Sequence, residues 1–266
     1  MTKSKMVQEY LNLLNLNNRK LDFSLIADLV TQHVATFAFS SVGCRLGNDL
    51  PLDFESLFNR IVISRRGGYC FEQNGLLYAI FEELGFSPKL YLGRVIHNTD
   101  THPGLTHRIS MIEDDGAKYI VDAGFGPLGP RVPVPLSGAT LNDGKKDFRI
   151  FEKNRGEYHM QYLKDGEFFS LYKFELGHYG QADCELGHFY SHKHPEAVFV
   201  NNLVVSLIQE KEIRSLRNNE YWIIKKSGIK NQQIKNAEQL KTILVCELGV
   251  QVTEEESCQL YKDLDT

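Results

Sequence analysis

The sequence predicts an α+β fold, from a change of hydrophobic period along the chain and from the mixed pattern of its last third. Up to Leu84 the apolar residues recur at helical spacing; from Lys89 they alternate with a period of two; the last third carries both patterns. Helices first, then an antiparallel sheet, then a mixed region is an α+β order. No internal repeat, low-complexity tract or long flexible linker divides the chain, so its parts are expected to pack as one body.

Each element has a local reason. Met6, Tyr10, Leu13 and Leu14 keep helical spacing. Asp22 is placed to cap a second helix with a stripe of Leu25, Ile26, Leu29 and Val30, and Asp53 to cap a third carrying Leu57, Phe58 and Ile61. After Gly67-Gly68 a fourth helix runs from Cys70 to Leu84, with Gly85 at the position that favours a left-handed residue. Strands are expected at Lys89–Leu92, His107–Ile112 and Lys118–Val121, the last two joined by an Asp114-Asp115-Gly116 turn. Phe148–Glu152, Tyr158–Leu163 and Phe168–Phe174 continue the sheet, with Lys164-Asp165-Gly166 as a hairpin turn. Leu203–Gln209 and Glu220–Lys225 read as strands, Asn236–Leu248 and Glu254–Leu264 as helices.

Composition narrows the function classes. The 266 residues are 42% hydrophobic and 24% charged, with a net charge of −4; mean hydropathy is −0.30 and the pI near 6.1. No global basic field exists to collect phosphates, which argues against nucleic acid or an anionic membrane as partner. No apolar run is long enough to span a bilayer, and the start of the chain reads as neither a signal nor a transit peptide. Five scattered cysteines without C-x-x-C spacing argue against a disulfide framework or structural zinc and for a reducing, cytoplasmic location. Cys44, Cys184, Cys246 and Cys258 read as small buried hydrophobes, Cys246 inside Ile243-Leu244-Val245 most of all. His188, His192 and His194 beside Cys184 and Asp183 fit no standard finger spacing, so no metal is assigned.

Cys70 is placed differently. The run Arg66-Gly67-Gly68-Tyr69-Cys70-Phe71-Glu72-Gln73-Asn74 delivers it through a glycine elbow to the first turn of a helix. There the unpaired N–H groups and the positive end of the dipole favour thiolate over thiol and can receive an oxyanion. A cysteine nucleophile needs an imidazole for its proton and a third group to orient the ring. His107 opens one strand of the Asp114-Asp115-Gly116 hairpin and Asp122 closes the other, so hairpin geometry places them side by side. His97 and His102 are rim candidates. The Gly-x-Gly of Gly124-Phe125-Gly126 is neither a Rossmann nor a Walker pattern, but lets backbone approach a ligand beside a flat apolar ring.

These residues resemble a family. The motif of Arg66, Gly67, Gly68, Cys70, Glu72 and Asn74 is similar to the signature of arylamine N-acetyltransferases, and Thr106-His107-Arg108, Tyr119–Gly126, Val134-Pro135-Leu136 and His194–Phe199 resemble that family's later blocks, in order. The resemblance implies a papain- and transglutaminase-like core in three parts: a helical bundle over 1–86 carrying the nucleophile, an antiparallel β-barrel over 87–192 carrying His and Asp, and an α/β lid over 193–266. It implies a Cys70–His107–Asp122 triad, an acceptor pocket of Phe39, Val95, Phe125 and Phe199, and approach of Gly124 and Gly126 to the thioester end of coenzyme A. The activity implied is ping-pong transfer of acetyl from acetyl-CoA, through an acetyl-cysteine, to an aromatic amine or hydrazine, with no metal. Oligomeric state stays open.

The chain departs from the family at Ala38-Phe39-Ser40-Ser41-Val42, where Pro-Phe-Glu-Asn-Leu is usual. Ser40 cannot pair with Arg66 as the family's glutamate does, so Arg66 must find another carboxylate, with Glu72 the candidate, or stand partly unpaired. Two other readings share the same residues: an amide hydrolase of the transglutaminase or papain kind, and a binding protein that keeps the fold without turnover.

Overall fold

The structure is a computed structural model that describes residues 1–264. Its first part is helical: α1 (Lys3–Leu13), α2 (Phe23–Thr36), a two-residue strand β1 (Phe39–Ser40), short α3 (Val42–Arg45), α4 (Phe54–Phe58) running into a π-helical turn (Asn59–Ile63), and α5 (Cys70–Glu83). Asp22 and Asp53 cap α2 and α4, accepting from the N–H of Ser24 and Ser56 at 3.0 and 2.9 Å. The apolar stripes of α1, α2 and α5 close on one another around Tyr10, Ile26, Leu29, Phe58 and Phe81, all fully buried.

The second part is an antiparallel sheet of β2 (Lys89–Val95), β3 (His107–Asp114), β4 (Ala117–Val121), β5 (Val134–Pro135), β6 (Leu141–Asn142), β7 (Asp147–Asn154), β8 (Glu157–Lys164) and β9 (Glu167–Glu175). Its order is β5-β4-β3-β2-β9-β8-β7-β6, and it curls until β5 comes back against β7, nearly closing a barrel over Ile109, Phe148, Met160 and Leu171. Both hairpin turns read from the sequence are made by a residue pair at positive φ, Asp115-Gly116 and Asp165-Gly166.

The chain then enters α6 (Gln181–Lys193) and α7 (Val198–Asn201), followed by the meander β10 (Val204–Ile208), β11 (Glu212–Arg217), β12 (Glu220–Lys225) and β13 (Gly228–Gln233), then α8 (Ala237–Thr242), a π-helical turn (Ile243–Glu247) and α9 (Glu254–Lys262). The meander does not stand alone. β1 joins its edge, Phe39 opposite Ser206, and so ties the last part of the chain to the first. Among the described residues no helix is long and apolar enough to cross a membrane.

Two sequence expectations are corrected here. Cys246 and Cys258 are exposed, not core. The π-helical turn adds a residue per turn relative to an α-helix, so Ile243 and Leu244 point inward and Cys246 rotates out. The Asn236–Leu248 helix is accordingly two elements, an α-helical stretch and that turn.

Candidate active site

The site begins with a backbone joint. Gly68 forms a parallel bridge with Phe39, and the Ser40 N–H donates to the Gly68 carbonyl at 2.9 Å, so the elbow is laid against β1. Gly67 has a φ of +68°, and a Cβ there would stand 2.6 Å from both the Ala38 carbonyl oxygen and the Ser40 Cβ; only glycine fits. Tyr69 is the N-cap of α5 and its N–H donates to Glu72 Oε2 at 3.1 Å. Cys70 follows as the first helical residue, 3% exposed.

Glu72 does not serve Arg66. Its Oε1 lies 2.5 Å from Arg60 Nε, with the carboxylate side chain 2% exposed. Burial raises the Glu72 carboxyl above its ordinary value, Arg60 and the Tyr69 N–H opposing. Arg66 instead makes a two-pronged pair with Glu256 at 2.6 and 2.7 Å and donates to the Gln251 carbonyl at 2.9 Å. Glu256 is the third residue of α9, held there by a reciprocal cap with Thr253. The carboxylate absent at Ser40 is therefore supplied by the far end of the chain, and Ser40 Oγ accepts from the Val42 N–H at 3.3 Å.

On the sheet side, His107 Nε2 is 2.7 Å from Asp122 Oδ2, both side chains nearly inaccessible. The β3–β4 register pairs Ser110 with Val121, so continued past the strand end Asp122 falls opposite Ile109, not His107. The two groups meet as diagonal neighbours on one face of the hairpin, a reach that an imidazole has. Asp122 Oδ1 accepts from Asn74 Nδ2 and from the Gly124 N–H, each at 2.9 Å. Asn74 also donates to the Arg108 carbonyl at 2.6 Å and accepts from the Ala123 N–H at 2.8 Å. One α5 side chain thus staples the nucleophile's helix to the loop after β4. The sequence reading names Asn74 as a motif member without a role; the signal for that role is the i+4 spacing from Cys70, which puts both on one helix face.

Cys70 and His107 meet across this joint. The thiol lies 3.5 Å from the carbonyl oxygen of Thr106, the residue before His107, and the sulfur is among the groups that raise the His107 ring. Since Nε2 is engaged by Asp122, the nitrogen left for sulfur is Nδ1. Burial pulls the imidazole toward its neutral form, but Asp122 and then Cys70 outweigh it and push its pKa up to about 10. For Asp122 burial is likewise outweighed, by His107, Asn74 and the Gly124 N–H, and its carboxyl is lowered. Gly124 closes the assembly: a Cβ there would lie 2.7 Å from both the Cys70 Cα and Asn74 Nδ2. Burial drives the thiols of Cys44 and Cys184 up, the first well above its ordinary value and the second to about 11.

Two groups of aromatic rings stand near the joint, one clustered with Cys70 and one against His107. Phe39 and Phe199 pack at 5.6 Å between centroids and Tyr69 meets Phe199 at 5.3 Å. Phe125 stands edge-on to His107 at 5.2 Å and against Tyr172 at 5.4 Å. Val95 reaches this group as the cross-strand partner of Tyr172. Gly126, at φ +82°, runs past the Phe39 ring; beside it the buried Ser206 hydroxyl has no partner among the described residues. Of the rim candidates, His97 packs its ring 5.8 Å from Phe125, and His102 is exposed. His188 and His192 are used structurally in α6, a helix that the sequence reading did not identify. His188 accepts from the Tyr69 hydroxyl at 2.5 Å and donates to the Leu50 carbonyl at 2.8 Å, and His192 donates to the His188 carbonyl at 2.7 Å.

Comparison with known proteins bears on the family and the fold. A family profile described as N-acetyltransferase matches residues 22–257. The chain is 27% identical over 248 residues to an arylamine N-acetyltransferase of Mycolicibacterium smegmatis, covering 91% of this chain and 90% of that one. It is 32% identical over 176 residues to the Escherichia coli arylamine N-acetyltransferase, a match spanning 65% of this chain and 62% of the relative. The solved structure of Mycobacterium marinum arylamine N-acetyltransferase in complex with CoA shares the fold with a TM-score of 0.89 at 24% identity, covering 96% of this chain and 98% of that one. With a profile match over most of its length and the same fold throughout, the chain belongs to the arylamine N-acetyltransferase family.

Proposed function

We propose that this protein transfers an acetyl group from acetyl-CoA to the nitrogen of an aromatic amine or hydrazine, with Cys70 as nucleophile, His107 as proton carrier and Asp122 as the group that orients the ring. The observation that carries the reading is a thiol in the first turn of a helix, 3.5 Å from the carbonyl next to His107, with the His107 imidazole held by a buried carboxylate that Asn74 ties to the same helix. Residues near Cys70 fit a pantetheine thioester: Gly124 packs its bare backbone against Cys70, Gly126 runs past Phe39, and the unpartnered Ser206 hydroxyl beside it offers a polar contact.

In the first half-reaction the Cys70 proton passes to His107 Nδ1, and Sγ attacks the thioester carbonyl carbon. The N–H groups of the first turn of α5 face the developing oxyanion. Collapse breaks the carbon–sulfur bond to coenzyme A, whose sulfur leaves with the proton held by His107. In the second half the amine nitrogen attacks the acetyl carbon, its proton goes to His107, and Cys70 leaves as thiolate. Acetylating Cys70 removes the sulfur contribution that helps hold His107 protonated, which eases the ring into its role as base. A weakly basic arylamine is already neutral near pH 7, and the rings of Phe39, Phe125 and Phe199, with Val95, supply the flat apolar walls it needs.

The proposal assigns the work to three stretches, 1–86 for the nucleophile, 87–192 for the imidazole and carboxylate, and 193–266 as a lid, in a protein acting in the cytoplasm. Phe125→Ala tests the acceptor wall. It is expected to raise the KM for an aniline about tenfold, roughly what one buried ring face contributes, while Cys70 acetylation by acetyl-CoA changes much less. An equal loss in both half-reactions, measured by single-turnover kinetics, would contradict the assignment.

A further inference from the structure

The helical part of the protein holds a row of buried hydrogen bonds that ends at the nucleophile's elbow. The Tyr10 hydroxyl on α1 lies 2.7 Å from His33 Nδ1 on α2, and His33 Nε2 lies 2.6 Å from Gln73 Oε1 on α5. Gln73 Nε2 donates to the Ala38 carbonyl at 2.7 Å and to the Gly68 carbonyl at 3.1 Å. None of the three side chains is more than 1% exposed. The row has one direction. Two carbonyls require the nitrogen of the Gln73 amide, so its oxygen must accept from His33 Nε2, and His33 Nδ1 accepts from the Tyr10 hydroxyl. Burial keeps the ring neutral, lowering its pKa to about 4. A buried polar network is costly when partly satisfied and rigid when complete; this one is complete.

Gln73 grips the elbow twice. Its side chain holds the Gly68 carbonyl, and its backbone N–H donates to the Tyr69 carbonyl at 2.9 Å. Both peptides are trans, so each N–H points away from the carbonyl of the same unit. Fixing the Gly68 carbonyl settles the Tyr69 N–H, which goes to Glu72. Fixing the Tyr69 carbonyl aims the Cys70 N–H. That N–H belongs to the first residue of α5 and has no acceptor within the helix, which leaves it for an oxyanion. We infer that Gln73 is a positioning residue for the reaction: it keeps the Cys70 N–H aimed at the oxyanion, and the Tyr10–His33 pair keeps Gln73 in place. The inference rests on Cys70 being the nucleophile. The Ser40 N–H also donates to the Gly68 carbonyl, and the Glu72 N–H to the Tyr69 carbonyl, each at 2.9 Å. Losing the Gln73 amide therefore loosens the elbow without undoing it.

The test compares two reactions of one sulfur. Acetylation by acetyl-CoA passes through an oxyanion, whereas alkylation by iodoacetamide displaces iodide from a CH₂ carbon and forms none. Both are followed by intact mass, with Cys70→Ala as the blank for the other thiols. Gln73→Met keeps the length of the side chain and removes its amide. It is expected to slow single-turnover acetylation about tenfold, less than the ~10²-fold that follows outright loss of an oxyanion donor, while alkylation keeps most of the wild-type rate. A role in stability alone would leave the ratio of the two rates unchanged in the folded variant. An unmoved ratio, whether both rates hold or both fall together, therefore overturns the inference. Should Gln73→Met fail to fold, Gln73→Asn, whose amide is too short to span His33 and both carbonyls, is read in the same way. The two readings fail differently. Wild-type protein that takes up no acetyl group sinks the nucleophile assignment, while labelled wild type with an unmoved variant ratio sinks Gln73 alone.

Discussion

Asp122→Asn is expected to leave the fold intact and cut acetyl transfer about 10⁴-fold, the size of effect seen when a triad loses its orienting carboxylate. The neighbours of Asp122 dictate the loss. Oδ1 accepts from both Asn74 Nδ2 and the Gly124 N–H, so an asparagine here must keep its carbonyl oxygen toward them and turn its amide NH₂ toward His107. Nε2 would then have to accept, putting the ring proton on Nδ1, where it can no longer take the proton of Cys70. The pH signature follows from the same pair. His107 is raised from 6.5 to about 10, so its share of stability is complete below 6.5 and fades as pH climbs through about 10. Asp122 is lowered from 3.8, so its share is complete above 3.8 and fades as pH drops through the lowered value. The stability gap between wild type and variant should hold constant between these limits and shrink on the alkaline side. Stopped-flow acetylation and urea unfolding across that range check both parts; a variant within tenfold of the wild-type rate would mean that another group orients the ring.

Arg60→Met is expected to destabilise the protein by about 3 kcal/mol, at the lower end for breaking a buried ion pair because Arg60 keeps some water. It strands Glu72, 2% exposed, with one remaining donor, the Tyr69 N–H. Since burial already holds the Glu72 carboxyl above its unfolded value, ionising it works against the folded state, and the variant's deficit should grow from acid toward neutral pH. Glu72→Gln added to Arg60→Met should recover part of the loss, as no charge is then left buried. Urea denaturation at two pH values measures it; a deficit that widens toward acid would contradict the assignment.

The parts of this fold that are local in sequence were legible, because caps, turns and periods are short-range devices. Asp22 and Asp53 cap as read, the two Asp-Gly turns form, and the strand spans from Lys89 to Phe174 agree within a few residues. The closeness of His107 and Asp122 followed from the hairpin, although the register makes it a diagonal contact. Three features were not legible. The α6 segment Gln181–Lys193 mixes Leu186, Phe189 and Tyr190 outside with Cys184, His188 and His192 inside, so it shows no clean apolar stripe. The Arg66–Glu256 pair joins residues 190 positions apart, a distance no motif spans. Cys246 was misread because a five-residue π turn shifts the inward face and its hydrophobic neighbours cannot signal that.

The most direct measurement of the central claim is the intact mass of the protein after mixing with acetyl-CoA, alone and then with an aniline. The wild type should gain the mass of one acetyl group, located on Cys70, and lose it when the aniline is added. Cys70→Ala, equally folded, should gain nothing. An unlabelled wild type, or a label that persists on Cys70→Ala, would contradict the account.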